Sequence, residues 1–196
     1  SGANLDTDAG QIDDGELAPG VTVLCQNEIR PEATFALLER AKARGARTIL
    51  NLAPAASVPA SVLDALDVLV VNQLEAASAA GGQGDAADLA RGLAARHGLT
   101  CVVTLGGQGA LAIGPAGGYR VPALAVEAVD TTGAGDAFAG VLAAGLDRGL
   151  ALPEALRHAS VAAGLACTRL GAQTSQPDAA TIAARLADLA EVARFK

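Results

Sequence analysis

Short apolar runs alternate along the chain with stretches whose hydrophobic residues recur at helical spacing. Val21 to Leu24, Arg47 to Leu52, Asp67 to Val71, Thr100 to Leu105 and Ala123 to Val129 read as strands. Between them the pattern predicts helices from Pro31 to near Gly45, from about Gln73 to Ala80, and from an Asp85 cap to His97. Pro31 suits the first position of a helix and Glu32 its first turn. Ala110 to Ile113 and Tyr119 to Val121, separated by Gly-Pro and Gly-Gly, read as a hairpin or antiparallel edge. Near the end, Pro153 to Arg169 is apolar on nearly every side and predicts a buried helix. Asp178 to Ala193 reads as an amphipathic helix with Ile182, Leu186 and Leu189 on one face. Strands alternating with helices predict an α/β fold with a mostly parallel central sheet. With neither repeat nor linker in view, residues 1–196 read as a single domain.

Composition narrows the field of functions. Hydrophobic residues are 51% and charged ones 18%, which is a globular balance and excludes global disorder. The core must be built from Ala, Leu and Val, since Phe is scarce and Trp absent. A net charge of −7 with so few aromatic rings argues against a nucleic-acid partner. No apolar run reaches membrane-spanning length and no signal-type start is visible, so a soluble cytoplasmic protein without a membrane partner is expected. The cysteines, Cys25, Cys101 and Cys167, are far apart in apolar segments and read as small buried hydrophobes. The lysines are Lys42 and Lys196, neither in a G-x-x-x-x-G-K-[ST] context. A nucleotide bound here must therefore be neutralised by backbone amides, arginine and metal ions.

Chemistry concentrates in Asp130-Thr-Thr-Gly-Ala-Gly-Asp136, which leads into the apolar helical stretch from Ala137 to Ala144. In a loop that opens a helix, the amides of Gly133, Ala134 and Gly135 would be unpaired first-turn donors where the helix dipole favours negative charge. Two of these three positions lack a side chain, so an anion can come close to the backbone. Asp136 then places a carboxylate beside an anion site, a combination suited to phosphoryl transfer. The plainer alternative is an acid in the first turn of a helix, with glycines for packing.

Around this segment the sequence resembles the ribokinase-like (PfkB) family of carbohydrate and nucleoside kinases, whose signature ends in DTxGAGD followed by a helix. Gln26-Asn-Glu28 after an apolar strand, Asn72-Gln-Leu-Glu75 as NxxE, Thr104 to Gly109 as TxGxxG, and Thr168 to Gln173 as TRxGAQ fit in the expected order. Asn51-Leu-Ala-Pro-Ala55 is similar as well. The resemblance runs from Gly2 to the last helix and implies a three-layer α/β/α ribokinase-like fold. Family members carry an N-terminal portion with lid strands and a sugar-binding segment. Ser1-Gly-Ala-Asn4 resembles a point past it, so the chain is expected to be a C-terminal portion without the lid.

The resemblance also implies roles. Asp136 would be the general base and Gly133, Ala134 and Gly135 the anion hole. ATP would lie along Thr104, Leu105, Gly106, Gly107, Gln108 and Gly109, with Asn72 and Gly135 near its phosphates and Ser160 beside the base. Glu75 would help hold Mg²⁺ through water, and Glu28 would contact the sugar together with Asp136. Asp130, Thr132, Ala166, Arg169, Gly171 and Ser175 match positions that coordinate K⁺, a monovalent activator. The activity implied is ATP-dependent phosphorylation of the primary hydroxyl of D-ribose to D-ribose 5-phosphate. The full-length parent would be a homodimer and this chain a monomer.

Alternatives stay open at several of these positions. Asn72 and Glu75 also fit a capping box, Thr104 to Gly109 a glycine turn of a hairpin, and Ser160 a buried serine bonded to its own helix. Glu28 also fits an exposed loop acid. For the chain as a whole, a non-catalytic nucleotide-binding fragment or pseudokinase competes, as does a kinase for a fructose-type sugar or a nucleoside. A dehydrogenase reading rests on Gly82-Gln-Gly84-Asp-Ala-Ala87, but that segment follows a helix rather than a strand.

Overall fold

The least ambiguous elements are the two strands β2, Arg47–Asn51, and β3, Val68–Asn72, because four of the five residues in each are buried. A strand covered on both faces reads as a continuous apolar run, and both are parallel-paired, Ile49 with Val68 and Asn51 with Val70. Strand β1, Thr22–Gln26, pairs parallel with β2 over its whole length but is only half buried. Strand β4, Thr100–Thr104, is next to β3. The computed structural model describes residues 2–195; Ser1 and Lys196 lie outside the described residues.

The chain divides into two compact units. The first runs up to Val103 and takes in Ala112–Ala116; the second holds Thr104–Leu111 and the chain from Gly117 onward. In the first unit helices α1, Pro31–Ala43, α2, Ala60–Asp64, α3, Gln73–Ala80, and α4, Ala86–His97, accompany β1 to β4. Leu38, Ile49, Leu50, Leu69 and Leu93 are fully buried. Each such side chain contributes roughly 1.5–3 kcal/mol relative to exposure. Asp85 accepts from the Ala87 amide at 2.8 Å, capping α4, and Gly98 closes it in the left-handed region at φ 70°.

Strand β5, Ala110–Gly114, crosses the boundary between the units, and β6, Gly117–Val121, lies in the second. There α5, Ala134–Asp147, and α6, Leu152–Ala166, approach closely enough that a Cβ on Gly145 would lie 3.1 Å from that of Ala155. The α/β class and the mostly parallel strand pairing agree with the sequence expectation. Among the described residues no helix is long and apolar enough to cross a membrane.

Three predicted elements differ. Ala123 to Val129 is irregular, not a strand. Pro122 offers no amide to a ladder, and the segment lies instead against α6. The Ser160 hydroxyl donates to the Pro122 carbonyl at 2.6 Å, and a Cβ on Gly164 would come within 2.7 Å of Leu124 Cβ. Helix α6 stops at Ala166, leaving Arg169 in the turn beyond it. The final helix is cut short: α7 covers Ala179–Arg185, a 3-10 turn follows at Leu186–Asp188, and Ala193–Phe195 forms strand β7, antiparallel to β6. Arg157 explains the stop, since its Nη2 donates to the carbonyls of Leu186 and Leu189 at 2.9 and 3.4 Å. Those carbonyls need no continuing helix to satisfy them.

Candidate active site

In the second unit the chain enters the Asp130 loop on two anchors: the amides of Val129 and Asp130 both donate to the Cys167 carbonyl, at 2.8 and 3.2 Å. Asp130 then bridges two segments. Its Oδ1 accepts from the Thr132 amide at 2.9 Å and its Oδ2 from the Gly171 amide at 3.0 Å. Hydrogen bonds from Thr132, the side chain first, and from the Gly171 amide hold the carboxyl down at about 2. The carboxylate is thus the fixed partner of the Gly171 turn rather than a proton carrier near neutral pH.

Gly133 caps α5 at φ 80°, a region that strains any other residue. A Cβ there would lie 2.9 Å from the Ala172 carbonyl oxygen, so the loop rests on the turn formed by residues 171–176. The expectation of three open amides needs correction at Ala134. Its amide donates to the Thr131 carbonyl at 3.2 Å, which closes the turn that sets the helix start. Asp136 is exposed in the first turn of α5.

A cavity of about 440 Å³ adjoins this loop, a volume within the range of small-ligand sites. Thr104, Gly106, Gly107 and Gly109 line it together with Ala134, Gly135 and Ser160. It therefore brings together the predicted nucleotide loop, the predicted anion loop and the predicted base-side serine. Leu105 and Gln108 are not among its lining residues. The glycine turn is required sterically at Gly109, where φ is 88° and a Cβ would lie 2.0 Å from the Val121 carbonyl oxygen. The alternative in which Ser160 bonds within its own helix is not the one found, because its hydroxyl donates to the Pro122 carbonyl. Leu124 and Phe138 also line the cavity, as does Thr131 of the Asp130–Asp136 segment, and none of the three has a role assigned from the sequence. The signal in the sequence for Leu124 is the apolar stretch around it.

Cys167 lines the same cavity and is half buried rather than a core residue. Burial first, and the Asp130 carboxylate second, raise its thiol. Cys101 is buried as expected, its thiol pushed up to about 12 by desolvation, whereas Cys25 on β1 is only partly buried, although desolvation still pushes it up to about 11. Of the predicted cation positions, Ser175 is 2% exposed and its hydroxyl has no hydrogen-bond partner among the described residues. Gly171 takes φ 90° to present its amide to Asp130. Arg169 is exposed, Thr132 is exposed and Ala166 is buried at the end of α6.

The first unit carries the other predicted residues. Asn72 caps α3 in a reciprocal box: its side-chain oxygen accepts from the Glu75 amide at 2.9 Å, and Glu75 Oε2 accepts from the Asn72 amide at 2.7 Å. Glu75 is 6% exposed; desolvation raises its pKa, partly offset by the Asn72 amide. The capping alternative is therefore present in the structure. Glu28 is exposed just after β1. Its neighbour Asn27 is buried and ties the Gln26–Glu28 segment to Asn51–Ala55, donating from its amide to Ala53 and from Nδ2 to Pro54, at 3.1 and 3.0 Å. Ala53–Pro54 is a cis peptide. Among the described residues no group of three or more His, Cys, Asp or Glu side chains could hold a metal ion.

The model of the pfkB family of carbohydrate kinases matches residues 15–179, most of the chain. The chain belongs to this family. It is similar to the ribokinase of Lactococcus lactis, 30% identical over 172 residues that make up 85% of this chain and 54% of that protein. It is also similar to the mouse ribokinase, 34% identical over 164 residues, 79% of this chain and 51% of the other. Among solved structures, the ribokinase of Thermotoga maritima superposes with a TM-score of 0.84 at 30% identity, over 94% of this chain and 63% of that one. An Arabidopsis thaliana ribokinase solved with ribose and ATP superposes at 0.77 and 28% identity, over 84% and 55%. The chain spans about half the length of the ribokinases it matches. Its α/β architecture is the ribokinase-like one of these neighbours.

Proposed function

We propose that this pfkB-family chain belongs to an ATP-dependent sugar kinase that phosphorylates the primary hydroxyl of D-ribose, giving D-ribose 5-phosphate and ADP. The observation that carries the reading is the cavity of about 440 Å³, where the Thr104–Gly109 loop, Ser160 and the Ala134–Gly135 turn meet within one unit. ATP would lie there with its base toward Ser160 and its phosphates toward the start of α5. Asp136 takes the proton of the sugar hydroxyl as that oxygen attacks the γ-phosphorus, and the bond to the ADP oxygen breaks. Donors at Gly133 and Gly135 stabilise the charge on the transferring group, with the Ala134 amide setting the turn that aims them. Glu28 and Asp136 would hold the sugar, and Asn27 would fix the segment that carries Glu28.

Two ions belong to this reading. Mg²⁺ would be held mainly by ATP phosphate oxygens, with Glu75 acting through water and Asn72 near the phosphates. It would neutralise charge on the phosphates, as it does where one carboxylate and substrate oxygens share the ion. The absence of an acidic cluster among the described residues fits that arrangement. K⁺ would be held by Asp130, Thr132, Ala166, Arg169, Gly171 and Ser175, several through backbone carbonyls. The Ser175 hydroxyl, buried and without a partner among the described residues, fits a place in such a site. Asp130, held ionised, supplies its negative charge.

D-ribose is favoured over other acceptors by the ribokinases among the relatives. A riboside or deoxyribose competes, because an aminoimidazole riboside kinase and a deoxyribokinase of Salmonella typhimurium are also similar, at 42% over 83 residues and 32% over 160. The test is ADP release with Mg²⁺ and K⁺ against D-ribose, deoxyribose, a purine riboside and D-fructose. Turnover highest with D-ribose supports the reading. Turnover with another acceptor changes the substrate, and nucleotide binding without turnover on any of them points to a non-catalytic binding role.

A further inference from the structure

Gln176 lies just past the TRxGAQ-like turn, at a position to which the sequence patterns assign nothing. Its side chain is exposed, yet its amide nitrogen Nε2 donates to two carbonyls on different segments: Ala172 at 2.8 Å and Gly133 at 3.2 Å. Gly133 is the N-cap of α5, and its carbonyl already accepts the first helical bond, from the Ala137 amide at 2.9 Å. The same carbonyl therefore serves both the helix and the turn formed by residues 171–176. The fit is close, since a Cβ on Gly133 would lie 3.1 Å from Gln176 Nε2 and 3.0 Å from Ala172 Cα. Asp130 makes the parallel connection one step earlier, through the Gly171 amide. Between them these bonds join the turn to the helix-opening loop at both of its ends. An exposed glutamine gives up considerable rotamer freedom to stay in one place, so its two bonds must hold it there.

We infer that Gln176 is a positioning residue: its amide clamps the Gly133 carbonyl to the 171–176 turn and so fixes the orientation of the donors at Gly133 and Gly135 toward the transferring phosphoryl group. The inference rests on the proposed kinase reaction. A site of this kind loses rate steeply when donors are misplaced by fractions of an ångström. An amide at this position can donate to two carbonyls at once, whereas leucine donates to none. A glutamate carboxylate would face two carbonyl oxygens with no proton to share; protonated, it recovers one donor.

The test uses Gln176→Leu and Gln176→Glu in the intact chain. Backbone amide exchange is read over residues 131–137, and kcat and the KM for ATP are read against pH. In Gln176→Leu we expect exchange there to quicken about tenfold, kcat to fall about tenfold and KM to stay within about twofold. For Gln176→Glu, its kcat relative to the unaltered chain should recover as pH falls toward about 5. Unchanged exchange over 131–137 overturns the inference whatever the turnover. So does an active parent chain whose Gln176→Glu variant shows no recovery at low pH. A parent chain with no sugar-dependent turnover defeats the proposed function instead, and the exchange measurement then decides the clamp by itself.

Discussion

Glu75 and Asp136 occupy the same place in two helices, the third position after the N-cap, and the chain uses them differently. Glu75 follows Asn72, whose side chain bonds the Glu75 amide while the carboxylate returns to the Asn72 amide. It is buried at 6% exposure, and that burial raises its pKa. Asp136 follows Gly133, which has no side chain to cap with and sits at φ 80°, and Asp136 is exposed beside the cavity-lining Gly135. One methylene less in the acid and a glycine in place of asparagine separate a helix cap from a candidate base. An acid at the start of a helix is thus no sign of catalysis by itself. The cap before it and the cavity beside it make the difference.

Several changes would break or sharpen this contrast. The largest loss of stability is expected from Gly109→Ala, which places a methyl 2.0 Å from the Val121 carbonyl at φ 88°. We expect about 2–4 kcal/mol, read by urea unfolding, with nucleotide binding lost alongside. Asn72→Ala should cost about 1 kcal/mol by removing half of the capping box. Glu75→Gln keeps the box, because glutamine also serves at that position, and it removes a buried charge. Its stability should match or exceed that of the unaltered chain at neutral pH while its Mg²⁺ requirement rises.

Ser175→Ala should shift stability by less than about 0.5 kcal/mol in the absence of K⁺, since the hydroxyl has no partner among the described residues to lose. Activation of turnover by K⁺ should weaken in the same variant. For Asp130, the folded value of about 2 lies below the ordinary 3.8, so its contribution is present above 3.8 and is lost as pH falls toward about 2. The stability gap between the unaltered chain and Asp130→Asn, followed by acid titration, should stay constant at higher pH and close across that window.

Much of this was legible in the sequence. Buried strands β2 and β3 announced themselves as apolar runs, and the caps Asn72 and Asp85 as polar residues before helical patterns. The glycines at 109 and 133 marked backbone that only glycine can adopt there. What stayed hidden depended on partners distant in the chain. Ala123 to Val129 is an apolar run like a strand, but Ser160 on α6, 38 residues beyond Pro122, holds the preceding carbonyl away from any ladder. The last helix was overdrawn because Arg157, 29 residues before Leu186, takes the carbonyls that end it. Gln176 carries no periodic or motif signal, since its role is written only in the two carbonyls it meets. Local pattern reports local structure, and these three lie outside its reach.

The most direct test of Asp136 as the base is D-ribose-dependent ADP release by Asp136→Asn, measured beside its thermal melt. We predict turnover lower by about 10²–10⁴-fold with the melting midpoint lowered by no more than a few degrees, the loss expected of a first-turn carboxylate. Turnover close to that of the unaltered chain would contradict the account, and so would a collapse of the melt that made Asp136 structural like Glu75.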